Sequence, residues 1–568
     1  MPNSSTALGS LKAFLVGKPI PSRLADQQRL SRVTGLAVLS SDPLSSVAYA
    51  TEEILRVLVL AGTGALWIAS PIAAVIAGLM IIVCFSYRQT IHAYPGGGGA
   101  YSVARENLGT QAGLIAASAL LLDYVMTVAV SIAAGVAALT SAFPQVHVNR
   151  VELALVFVAI LAVGNLRGVR ESGRIFAVST YFFIGMMVLL ITGGALRFLL
   201  GDVAPVPPPE AVGPAGNLAV LGVFLVLRAF SNGCTALTGV EAISNGVSAF
   251  RPPEARNAAA TLMLMIGLAV TMFLGTTLLA QAYGVVPVED ETVVSQLARL
   301  VFGGRGVAYY LVQAATMLIL VLAANTAYND FPRLSSIVAR DKFMPRQFMN
   351  QGDRLAFSNG IIVLSVLAGM LLIFFQGDTH ALIPLYMIGV FVSFTLSQAG
   401  MVRKEWRERP ARWRAKVAIN AVGAVSTGVV LVVVAATKFS EGAWLILLLI
   451  PVQVAVFKAI RAHYRLVGRQ LSIDGWRAAP VLHHTVVVPV GGMNRAVPRR
   501  CAMRARSRAT SGRYTWMSAG APGRRSGGTG SSMGWGSRST SWNRPSGRCC
   551  RRSWSTSIAC AARSRIAS

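Results

Sequence analysis

Long apolar runs dominate this chain, and their lengths set the first expectation. A membrane-crossing helix needs about 20 predominantly apolar residues. Twelve runs meet that need, centred near residues 47, 75, 125, 159, 187, 233, 270, 316, 367, 390, 427 and 449. The opening thirty residues carry Lys12, Lys18, Arg23 and Arg29 with no apolar core, so no cleavable leader is expected there. Between the runs the charge alternates. The N-terminus and the second, fourth, sixth, eighth and tenth loops are basic, with Arg167, Arg170 and Arg174, Arg251 and Arg256, Arg333 to Arg346, and Arg403 to Lys416. The other loops hold Asp202, Glu210, Glu289, Asp290, Glu291, Asp378 and Glu441. Basic loops stay in the cytoplasm, so an even number of spans with both termini cytoplasmic is expected.

Two runs are interrupted by polar residues. The first contains Ser40-Ser41-Asp42-Pro43-Leu44-Ser45-Ser46, where Pro43 removes a backbone donor and disfavours helix at Asp42. The sixth contains Ser231-Asn232-Gly233-Cys234-Thr235 and then Thr238-Gly239-Val240-Glu241. Bare backbone at membrane depth is tolerated where it lines a cavity or is buried in protein. Breaks five spans apart predict an inverted five-helix repeat with a central site between them. A carboxylate stands at each break, and an ionisable group inside a span is a functional candidate by default.

Composition agrees. The chain has 568 residues, 54% of them hydrophobic and 13% charged, against roughly 25% charged in soluble domains. A secreted disulfide scaffold, a disordered protein and an ordinary cytosolic enzyme are excluded. The formal net charge of +29 suggests nucleic acid until it is located: sixteen Arg, no Lys and no acid lie from Arg495 to Ser568. The rest of the chain holds 36 basic and 23 acidic residues, ordinary for a membrane protein with basic loops. No nucleic-acid partner is expected.

Ser41-Asp42-Pro43-Leu44-Ser45-Ser46-Val47-Ala48-Tyr49-Ala50-Thr51-Glu52-Glu53 resembles the first-helix signature of the KimA-type potassium importers, within the amino acid–polyamine–organocation transporter superfamily. Tyr94-Pro95-Gly96-Gly97-Gly98-Gly99-Ala100-Tyr101, Leu122-Asp123-Tyr124-Val125-Met126-Thr127 and Thr238-Gly239-Val240-Glu241 follow in the same order. The likeness covers roughly residues 30 to 495. Pro43 departs from it, since relatives commonly have a small residue there. The resemblance implies an all-α membrane protein of LeuT-like 5+5 inverted-repeat fold, with broken helices 1 and 6. Residues 33–457 then form the transporter domain in a bacterial plasma membrane, after a cytoplasmic segment of residues 1–32. It also implies inward potassium transport coupled to protons, and a homodimer.

The residues can be asked separately whether a cation makes sense. Transporters of this architecture aim helix N-termini at anionic substrate groups, whereas here Asp42 puts a negative charge at that place. Asp123, Thr127 and Ser131 stand four residues apart on one face of the third span. Potassium needs neutral oxygens in place of its water shell. By family analogy the cation path is Asp42, Tyr49, Asp123, Thr127, Ser131 and Thr238, with Tyr386 a further member. Glu241 is the expected proton carrier, a role Asp123 shares. Small polar residues also serve as interhelical glue, which is the competing account of the hydroxyls; for Glu241 it is a hydrogen bond to the freed backbone. No cofactor is expected, and no metal beyond the transported cation. An amino acid or polyamine permease, and more distantly a non-transporting sensor or intramembrane enzyme, stay open. No zinc, nucleophile or phosphate-loop motif supports an enzyme.

Three other features are given plainer roles. The Gly96 to Gly99 run, beside Pro95, reads as a hinge or close helix contact. Met263, Met265 and Met272 read as lipid-facing or packing residues. Thr485 to Val490, after His483-His484, reads as a buried strand opening a cytosolic α/β domain, with residues 458–494 as connector and start of that domain. Residues 495–568 have no apolar periodicity, gather four Trp and four Cys with their arginines, and read as an Arg/Ser/Gly-rich disordered tail. GC-rich coding DNA read out of register yields such a mixture, so a frameshift near residue 495 is expected to have replaced the native domain. A basic arm is the alternative. The resemblance associates that domain with inhibition by cyclic di-AMP, a control expected to be missing here.

Overall fold

The computed structural model describes residues 29–97, 99–167, 169–201, 222–288, 291–350 and 357–472, and the residues 488–490 and 516–518. Contacts divide the chain into two units, Met1–Arg469 and Gln470–Ser568. In the second, Val488–Val490 pairs in parallel with Trp516–Ser518. The strand expected to begin at Thr485 thus exists at its end, and the remaining expectations for the tail lie outside the described residues. So do those for residues 1–28, 202–221, 289–290 and 473–487.

The first unit is helical, and each predicted centre falls in a helix or at a break. Span 1 is Arg32–Leu39 followed by Ser41–Leu58, and span 6 is Val223–Gly233 followed by shorter pieces. The others are Ala69–Ala93, Thr110–Ala142, Arg150–Leu166, Val169–Leu199, Glu254–Ala282, Val307–Arg340, Ser358–Phe374, Thr379–Glu408, Trp413–Lys438 and Ala443–Gln470, in order spans 2–5 and 7–12. By length and apolarity ten of the described helices suffice to cross a membrane. The two that fall short are the polar, divided span 1 and the 17-residue span 9. Helices are the form in which a single segment satisfies its own backbone in lipid.

The contacts repeat with an offset of five. Spans 1 and 6, 2 and 7, 3 and 8, and 4 and 9 pack as pairs. Span 3 packs on span 10 as span 8 packs on span 5, and span 4 meets span 3 as span 9 meets span 8. Even the connecting helices obey the rule. Gly99–Asn107 lies against spans 3 and 10, and Val293–Val301 against spans 8 and 5. Five is odd, so the second set runs through the membrane in the opposite sense. This is the inverted repeat that the two breaks predicted. The most apolar window of span 3 is 94% buried, against 17% for span 4 and 28% for spans 5, 11 and 12; span 3 is the centre and those four are the most exposed.

Gly97 and Gly99 of the glycine run serve close packing. Gly97 and Gly99 have φ of +79° and +47°, and a Cβ at Gly97 would lie 2.7 Å from the Asn245 carbonyl oxygen. The C-terminal end of span 6 therefore rests on this loop. Met263 is 38% exposed while Met265 and Met272 are buried, so the three divide between lipid and packing.

Candidate cation site

The two breaks are built differently. Ser31 and Thr34 form a reciprocal cap that starts span 1. The helix pauses at Ser40 and resumes at Ser41. Pro43 was expected to make this break, yet it and Asp42 lie within the first turn of the second helix. A missing N–H has no intrahelical partner to lose at that position. Asp42 thus occupies a helix N-terminus, where a carboxylate suits the dipole. Span 6 unwinds further. Cys234–Leu237 is a 3₁₀ turn, Thr238 is extended, and helix returns at Ala242–Asn245. Gly239 has φ of +75°, and a Cβ there would lie 2.5 Å from Asp42 Oδ2. Glycine lets the carboxylate of span 1 lie on the bare backbone of span 6.

Four hydroxyls close a ring beside it. Ser46 Oγ lies 3.0 Å from Tyr49 Oη and 2.8 Å from Thr238 Oγ1. Tyr49 Oη is 3.2 Å from Tyr386 Oη, which donates to Thr238 Oγ1 at 3.3 Å. Ser46 also donates to the Asp42 carbonyl at 2.9 Å, and Thr238 to that of Thr235 at 2.9 Å. Each hydroxyl that donates keeps lone pairs for a ligand. Spans 1, 6 and 10 supply the ring, and its members are at most 7% exposed.

Asp123, Thr127 and Ser131 are buried along span 3, at 2, 4 and 2% exposure. Gly389 of span 10 permits the close approach, for its Cβ would meet the Ala119 carbonyl oxygen at 2.7 Å and the Asp123 Cβ at 3.2 Å. Asp123 lies within electrostatic range of Glu241 and Asp42. Glu241, at 2% exposure, stands where span 6 turns back to helix. Asp123 Oδ1 and Glu241 Oε2 have no hydrogen-bond partner. The structure therefore brings Asp42, Tyr49, Thr238 and Tyr386 into direct contact with Ser46, and sets Asp123 and Glu241 around them.

Two residues of this region, Ser46 and Asp330, escaped the sequence reading. Ser46 is the hub of the ring; its position four residues after Asp42 and three before Tyr49 was the available signal. Asp330 of span 8 is 2% exposed with neither oxygen partnered, and its charge reaches Asp42 and Glu241. It is an intramembrane acid like the others, hidden by the polar stretch from Asn325 to Arg333. Among the described residues no group of three or more His, Cys, Asp or Glu side chains is arranged to hold a resident metal ion.

An inverted repeat of five helices, broken at its first and sixth spans around a buried polar site, defines a multi-pass membrane carrier. The amino acid permease family model matches residues 30–456, and the chain belongs to that family. It is 47% identical to the potassium transporter KimA of Bacillus subtilis (strain 168) over 490 residues, 86% of this chain and 80% of that relative.

Proposed function

We propose that the chain imports potassium together with protons, by alternating access of the central site to the two sides of a bacterial plasma membrane. The observation that carries this is the Asp42 carboxylate beside four buried, neutral hydroxyls. A carboxylate-bearing substrate would meet like charge there, and a weakly hydrated cation meets replacement oxygens. The similarity to a relative named as a potassium transporter supports the same choice. Thr127 and Ser131 extend the oxygen lining along span 3. The unwound stretch from Ala236 to Thr238 adds backbone carbonyls.

The proton has a candidate carrier in Glu241. Asp42, Asp123, Glu241 and Asp330 are all buried and lie within electrostatic reach of one another, and of the four Arg333 acts on Asp330. Buried charge of one sign is costly unless compensated. Potassium and a proton bring two positive charges, and releasing both inside restores the starting state. The deciding test is rubidium uptake and growth in a host lacking its own potassium importers. Accumulation driven by an imposed proton gradient supports symport. Uptake of labelled polyamine or amino acid with no rubidium uptake would favour the permease reading. No enzymatic role is proposed. The frameshift reading of residues 495–568 rests on composition alone. An acid-containing α/β pattern in another reading frame after Thr485 would support it, and cyclic di-AMP should then leave uptake unchanged.

A further inference from the structure

A second polar assembly closes the other end of the route. Glu52 and Glu53 follow Tyr49 along span 1, at 5 and 3% exposure. Glu53 Oε1 takes a short contact from His380 Nδ1 at the start of span 10, and Glu53 Oε2 accepts from Asn232 Nδ2 at 2.8 Å. Glu52 Oε2 accepts from the Val293 backbone N–H at 3.1 Å. Its other oxygen lies 3.7 Å from His380 Nε2. These bonds join span 1, the outer half of span 6, span 10 and the connecting helix Val293–Val301. Together with Tyr49, Glu52 and His380 line a cavity of roughly 100 Å³, on the face that the loop charges place outside.

We propose that His380 is the positioning residue of an outer latch, and that protonation of its ring tightens the latch against cation entry. The geometry gives the sign. A neutral imidazole has one N–H. Donating it from Nδ1 to Glu53 leaves the Nε2 lone pair facing the Glu52 carboxylate, which is repulsive. A protonated ring donates toward both carboxylates and draws span 10 onto span 1. External acid therefore supplies the driving proton and at the same time holds the mouth shut. The other charged groups facing the latch are placed as follows. Asp378 is occupied in capping His380 and Ala381 through their N–H groups. Glu291 is paired with Arg299 at 3.1 Å, His147 and Arg150 line the same cavity, and Arg56 acts on Glu52 and His380.

The inference rests on the transporter reading, so wild-type rubidium uptake must first be present; its absence would count against that reading, not this one. The measurement is the ratio of initial uptake at external pH 5.5 to that at pH 7.5, normalised to protein in the membrane. His380→Gln keeps a donor and loses the charge, and the ratio should rise at least threefold. His380→Arg holds the charge at every pH, so uptake at pH 7.5 should fall at least threefold. Glu53→Gln should act like His380→Gln, and the double variant should show no further rise because both remove one latch. Wild-type ratios in both Gln variants, or additive effects in the double, would overturn the proposal. If a Gln variant does not reach the membrane, His380→Arg decides alone, and undiminished uptake at pH 7.5 overturns it.

Discussion

The breaks in spans 1 and 6 occupy related positions in the repeat, yet they perform opposite jobs. In span 1 the interruption is one residue wide. Ser40 still donates to the Leu36 carbonyl at 3.0 Å and accepts from the Leu44 N–H at 3.1 Å, so little backbone is freed. What this break delivers is a side chain, the Asp42 carboxylate in the first turn of a helix. In span 6 the chain is extended at Thr238 and left-handed at Gly239, with helix regained only at Ala242. That break delivers backbone, in a form that lets a carboxylate from elsewhere lie against it. Where the two breaks meet, span 1 supplies the carboxylate and span 6 the backbone that receives it, with Glu241 following where span 6 returns to helix.

Predictions that try this contrast run from the charge outward. Asp42→Asn should lower rubidium uptake at least about a hundredfold with membrane abundance unchanged, because a charge near a cation is worth about 4 kcal/mol at an effective dielectric constant of 20. Asp123→Asn should act likewise, and near-normal uptake by both would remove the proposed path. Glu241→Gln should abolish proton-driven accumulation and flatten the dependence of uptake on pH. If the pH dependence survives, the proton travels on another acid, with Asp123 next and Asp330 after it. Gly239→Ala should cost roughly tenfold, since a left-handed alanine costs about 1–2 kcal/mol before its methyl meets Asp42. Tyr386→Phe and Ser46→Ala should each raise the KM for rubidium about two- to tenfold, the range expected for one hydrogen bond of about 0.5–1.5 kcal/mol. Ser40→Ala should change uptake by less than about twofold, because the Ser40 hydroxyl has no partner to lose. A large effect at Ser40 together with a small one at Gly239 would invert the comparison.

The sequence by itself determined a great deal. Apolar runs placed the spans, ten of which are long and apolar enough on their own, because a helix in lipid must be both. Polar interruptions at Asp42 and at Thr238 to Glu241 marked the break regions, because no other signal tolerates charge at that depth. Residues 30 to 456 also carried enough of the family's pattern to be matched as a whole. Other matters were decided by tertiary structure alone. The break in span 1 fell at Ser40, three residues before the proline expected to cause it, because a helix start accommodates proline at no hydrogen-bond cost. The hydroxyl ring joins residues 46, 49, 238 and 386, and the outer latch joins 52, 53, 232 and 380. Nothing in a linear pattern states that separations of 192 or 327 residues close to hydrogen-bond distance. Helix crossing, made possible by glycines such as Gly239 and Gly389, brings those groups together, and close approach depends on what each side chain meets in space.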